Sequence, residues 1–125
     1  MKRIVLACLL LSLASVAHAG PYGDDLSKCL VRSTTDQDKS LLVQWIFYAI
    51  ALNPQLAPVA NISPEQREQV DKGTARMFET LLTESCLKET QAAVKYEGST
   101  AIAEAFKLLG QVASQEMFSD PAVSK

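Results

Sequence analysis

Residues 41–52 form a run of twelve in which Gln44 is the only clearly polar side chain. The flanks make this run helical. Thr35 is a good N-cap, Asp36 and Asp38 fall in the first turn beside the positive end of the helix dipole, and Asn53-Pro54 stops the helix because the residue before proline disfavours helical backbone. A helix over residues 36–52 that is apolar on all sides should be buried on all sides. It is too short to cross a bilayer. The expectation is a central helix wrapped by the others. The competing reading turns part of it toward a partner or a second copy, with Trp45 and Tyr48 as the contacting residues, since each joins an apolar body to a polar tip.

The remaining pattern supplies the wrapping. After a flexible lead-in, Pro21-Tyr22-Gly23, either Asp24 or Asp25 can cap a short helix with Leu26, Cys29 and Leu30 on one face. Ser63-Pro64-Glu65-Gln66 has the form of a capping box with proline in the first turn. It opens a helix carrying Val70, Met77, Phe78, Leu81 and Leu82, with Gly73 as a mild weakness. The pattern continues through Cys86, Leu87, Ala93 and Val94 to Gly98, either as one helix bent near Thr83 to Ser85 or as two. The Glu84–Lys88 spacing favours helix across that point. Ser99 can cap a last helix with a stripe of Ile102, Phe106, Leu109, Ala113 and Met117, ended by Asp120-Pro121. Met77, Phe78, Met117 and Phe118 read as core. No segment alternates with period two. The fold class is therefore all-α, a single bundle of four or five helices with one disulfide.

The first nineteen residues have the three parts of a secretory signal: Lys2-Arg3, an apolar stretch over residues 4–16, and Ala17-His18-Ala19 as the cleavage pattern. Thirteen helical residues span about 20 Å, short of the ~30 Å hydrocarbon core, so no stable membrane anchor is expected after cleavage. The domain reading is a signal peptide over 1–19 and one helical domain over 20–125, in the periplasm after Sec-type export. Cys8 belongs to the apolar stretch, which runs past it. Cys29 and Cys86 remain, an even count in an oxidising compartment, and are expected to pair as a structural disulfide. The alternative, a reactive or metal-binding pair, lacks a C-x-x-C spacing and any helping imidazole.

Composition excludes several chemistries. The only histidine, His18, lies in the signal, so the mature chain has none. Ser-His-Asp and Cys-His catalysis, imidazole metal sites and a histidine pH switch are thereby removed. The full chain has 12 basic and 14 acidic residues; without Lys2 and Arg3 it has ten against fourteen, a net −4. The scattered basic residues make no stripe that could displace counterions from nucleic acid. Ser85-Cys86-Leu87-Lys88 matches S-x-x-K without the other motifs of penicillin-recognising enzymes. The carboxylate pairs Asp24/Asp25, Asp36/Asp38 and Glu65/Glu68 lie at helix starts, where capping explains them. A carboxylate-based hydrolase is the sole enzymatic reading left, and the chain is read as non-enzymatic. No cofactor and no metal site is expected.

The run Cys29-Leu30-Val31-Arg32-Ser33-Thr34-Thr35, then Leu42-Val43-Gln44-Trp45-Ile46-Phe47, and Cys86 after Leu81-Leu82-Thr83-Glu84-Ser85, resembles a group of small exported proteobacterial proteins of unassigned function. The resemblance covers most of the mature chain. It implies export, a helical fold and the cysteine pair, and transfers no activity. In plan alone the chain is also similar to acid-activated periplasmic chaperones. The functional expectation is an exported periplasmic protein that binds another protein, whose identity is open, with a homodimer compatible. Two alternatives stand beside it. One is an acid- or stress-activated chaperone, loosened when protonation of the 14 carboxylates moves the mature charge from −4 to +10. The other is an inhibitor or immunity protein against a cell-wall hydrolase.

Overall fold

The computed structural model describes residues 20–125; the signal expected over residues 1–19 lies outside the described residues. The described residues contain α1 (Pro21–Ser33), α2 (Asp36–Ile50), a single turn α3 (Ala57–Ala60), α4 (Pro64–Thr80), a π-helical turn (Leu81–Ser85), α5 (Leu87–Glu97) and α6 (Thr100–Phe118). The fold is all-α with no strand among these residues, and the disulfide joins Cys29 to Cys86 with Cα atoms 5.9 Å apart. No helix among the described residues is long and apolar enough to cross a membrane.

The organising helix is α6, not α2. Ala101, Ala105, Leu109 and Ala113 recur every fourth residue and are all buried, which gives α6 a seam of small side chains. Small residues at the contact let a neighbouring helix come close. Helix α1 lies along this seam with Leu26 and Leu30 fully buried, and α5 packs against both α1 and α6. The expectation of a wrapped central helix over 41–52 is thus corrected. Of α2 only Leu42 is buried, and its neighbours are α4 and α6 alone. The physical reason is competition: α1 is shorter but sits on the small-residue seam and is tied by the disulfide, so it occupies the centre and leaves α2 outside.

The π turn answers the question left open near Thr83 to Ser85. Leu81 and Cys86 are both buried. Five residues apart on an α-helix they would point about 140° away from each other at 3.6 residues per turn. Widening the helix by one residue, with Cys86 N–H donating to Leu81 C=O at 2.8 Å, brings both inward and presents Cys86 to Cys29. The rod from α4 to α5 is therefore continuous in path but out of phase. The Glu84–Lys88 pair is absent from the ion pairs among the described residues, because i, i+4 is not a same-face spacing across a π turn.

Two of the cap signals held: Thr35 and Ser63 each open a helix with a reciprocal capping box, to Asp38 and Gln66 respectively. Three expectations fail. Ser99 makes no side-chain cap. Pro21-Tyr22-Gly23 is the first turn of α1 and not a flexible lead-in, and neither Asp24 nor Asp25 caps that turn. The Glu97 carboxylate, at the end of α5, accepts from Tyr22 N–H and Gly23 N–H at 2.8 Å each. A Cβ on Gly20, the N-cap residue, would collide with this carboxylate. Gly73 has a packing role of the same kind: a Cβ there would stand 3.2 Å from Leu41 Cδ2, so the glycine lets α4 approach α2.

Candidate functional site

The site begins with three aromatic rings, one from each helix of the outer half of the molecule. Trp45 of α2 meets Phe78 of α4 edge-on, with centroids 5.9 Å apart, and Phe78 meets Phe106 of α6 at 4.3 Å. All three are only half-buried. Together with Leu42, Ile46 and Phe118 they line an apolar groove of about 900 Å³ between α2 and α6. Two contacts that join α2 to α6 are Ile46 against Gly110 and Lys39 reaching across to Glu116 at 2.9 Å.

Beside the groove the outer face of α2 stays open. Phe47 is 51% exposed, Ile50 53% and Phe118 64%, and these three line one continuous recess with Val43 and Met117. Single exposed apolar residues are ordinary, but a contiguous patch of this kind on a folded domain marks an interaction surface. The lack of charge is as informative as the apolarity. No Asp, Glu, Lys or Arg occurs from residue 40 to residue 64, and none from 108 to 115.

The two residues named from sequence part company. Trp45 lines the groove. Tyr48 turns to α4, where the Arg67 guanidinium stands 5.9 Å from its ring and donates to its carbonyl at 3.1 Å. That bond satisfies a carbonyl left open in the last turn of α2 and places a cation at the negative end of the helix. Tyr48 thus fastens α2 to α4. Phe47, Ile50 and Phe118 are the exposed apolar residues that sequence reasoning missed, and Met117 and Phe118 are corrected from core to surface. For Phe47 and Ile50 the signal that could have found them is the length of the charge-free run, which outlasts the helix and continues through the connector; Phe118, between Glu116 and Asp120, carries no such signal.

Titratable groups show no second site. Asp38 accepts from Thr35 N–H at 3.0 Å and from its hydroxyl at 2.7 Å, a capping arrangement. Ser85 and Lys88 are both exposed, one in the π turn and one in α5. Cys29 and Cys86 are buried in their disulfide, with the Ser33 hydroxyl 3.7 and 3.6 Å from the two sulfurs. Lys39 has its pKa raised by the hydrogen bond to Glu116, opposed by desolvation and helped by the Glu116 and Asp36 charges. Among the described residues no three His, Cys, Asp or Glu side chains converge as metal ligands would. No family model matches the chain, and neither curated proteins nor solved structures show a match.

Proposed function

We propose that this is an exported periplasmic protein that works by binding another protein through the α2–α6 face. The observation that carries the reading is the continuous, charge-free apolar surface of Phe47, Ile50 and Phe118 beside the Trp45 groove. A rigid groove floored by aromatic rings suits an apolar helix laid along it, a recognition mode read through anchors at i, i+3, i+4 and i+7. The export reading is supported by the tripartite pattern of residues 1–19 and by the buried disulfide, which persists in oxidising compartments.

A second reading, an acid-activated chaperone, is favoured by one contact. Lys39 and Glu116 tie α2 to α6 at 2.9 Å, the single ion pair among the described residues that joins two helices, so the closure of this face depends on charge. The test is capture from the source organism's envelope by oxidised residues 20–125, at neutral and acid pH, against a Phe47→Asp/Ile50→Asp double variant. The expected result is a discrete partner at neutral pH whose retention falls by more than roughly tenfold in the variant, as loss of interface anchors predicts, with the thermal midpoint unchanged. Broad capture in acid alone replaces this reading with the chaperone. Equal capture by both proteins, or none, overturns it.

A further inference from the structure

The connector between α2 and α4 contains the least packed apolar segment of the described molecule. Helix α3 approaches no other helix, and none of its residues is buried. Leu52 is 66% exposed, Leu56 is also exposed and Val59 is 79% exposed. The segment is nonetheless ordered by its own backbone. Asn53 C=O accepts from Leu56 N–H and Ala57 N–H, and Leu56 C=O accepts from Val59 N–H and Ala60 N–H. Leu56 and Val59 lie three residues apart on the turns that lead into and through α3, and Leu52 lies ahead of the bend at Asn53-Pro54, so the segment offers three exposed apolar side chains within eight residues. The chain thus carries, next to an apolar groove, an ordered apolar segment that it does not use on itself.

We propose that residues 52–60 of one copy form an arm that seats in the α2–α6 groove of a second copy, reciprocally, as a two-fold dimer. This rests on reading that groove as a protein-binding surface and names its occupant. Two arguments select a second copy. The first is charge. A two-fold contact sets a patch against itself, so any charge near the axis meets its like. The run over residues 40–64 has no charge to oppose and the groove wall carries a single one, Lys107, which meets an uncharged arm, whereas the rest of the chain from residue 20 carries a net −4 and repels itself. The second is area. At roughly 150–250 Å² for a large side chain, the exposed fractions of Phe47, Ile50, Leu52, Leu56, Val59 and Phe118 amount to about 530–880 Å² per copy, a range that includes the ~800 Å² that each partner of a specific interface buries. Since the arm leaves the end of α2 beside Ile50, an axis near that residue brings each arm to the other copy's groove.

The experiment is sedimentation of oxidised residues 20–125 over a wide concentration range, with Val59→Asp as the arm variant and Phe118→Asp as the groove variant. Both positions are exposed, and a thermal midpoint measured alongside confirms that each variant is folded. Wild type is expected to dimerise, and each variant to weaken dimerisation by more than roughly tenfold. Mixing the two variants is expected to restore dimers where each alone is monomeric, because the mixed pair holds one intact arm in one intact groove. A monomeric wild type, a Val59→Asp protein that pairs as tightly as wild type, or no recovery on mixing overturns the arm-and-groove dimer. If wild type is monomeric and the envelope partner is still lost on Phe47→Asp/Ile50→Asp, self-pairing fails while the protein-binding reading stands. If wild type pairs by arm and groove and captures nothing else, the heterologous reading fails instead.

Discussion

The two halves of this molecule are held together by opposite means. In the half built from α1, the π turn, α5 and the buried seam of α6, small side chains allow close approach, Leu26, Leu30 and Leu109 have no exposed surface, and a buried disulfide crosses from α1 to the head of α5. In the half built from α2, α4 and the neighbouring side of α6 that carries Phe106, the contacts are aromatic and half-buried, and α2 is secured at its ends by Lys39–Glu116 and by Arg67 on Tyr48. Close packing leaves no apolar groove on this half, though single side chains such as Tyr96 and Val94 stay exposed. Loose aromatic packing leaves a groove, and rings held by neighbours lose little freedom when something binds. The first half is a scaffold, and the second is a surface that the scaffold holds open.

The largest expected effect tests the scaffold. Cys29→Ser/Cys86→Ser opens a loop of 57 positions, and chain entropy assigns a closure of that length about 4 kcal/mol. Chemical denaturation of the double variant should show a loss approaching that size. A loss below ~1 kcal/mol would mean that close packing alone holds α1 in place.

The next effect contrasts the halves directly. Leu109→Ala removes a side chain with no exposure and should cost about 3 kcal/mol. Phe47→Ala removes a larger side chain from the open face and should change monomer stability by less than ~0.5 kcal/mol, as surface substitutions do. Equal losses would show that the face is core. The pair is best measured by urea midpoints at low protein concentration, where self-association does not contribute.

The smallest effects come from the polar fastenings. Glu97→Ala leaves two helix-start N–H groups of α1 without their acceptor and should cost about 1–2 kcal/mol, within the range for losing an N-terminal cap. Lys39 fastens the other half from a more exposed position and should matter less. Its pKa is raised on folding by the Glu116 hydrogen bond. The contribution is therefore complete below the unfolded lysine value of 10.5 and is lost as pH rises through the higher folded value. Thermal midpoints of wild type and Lys39→Met should differ at neutral pH and converge in strong alkali. A difference independent of pH and salt would assign the effect to packing of the lysine stem.

Much of this fold was legible in the sequence because its signals are local. The caps at Thr35 and Ser63, the helix-stopping Asn53-Pro54 and the apolar periodicities act over one or two turns, where the chain's own chemistry suffices. The pairing of Cys29 with Cys86 was expected because they are the two cysteines left once Cys8 is assigned to the apolar stretch of residues 4–16. The candidate site was half legible. Trp45 was found because a large amphipathic ring on a wholly apolar helix draws notice. Phe47, Ile50 and Phe118 were not, because the hydropathy of a helix does not say which of its apolar faces finds a neighbour.

The sequence by itself determined that the chain is helical, where α2, α4 and α6 begin, that Cys29 and Cys86 are a candidate pair, and that residues 20–125 contain no imidazole. Tertiary structure decided the rest. It made α6 the helix on which the others pack because its buried alanines at 101, 105 and 113 admit close neighbours. It placed a π turn at Leu81–Ser85 because two residues five apart both had to face inward. It moved the most apolar helix to the outside because the seam was already taken. Each decision is a competition between segments for one volume, and a linear pattern states what every segment wants without stating which of them obtains it.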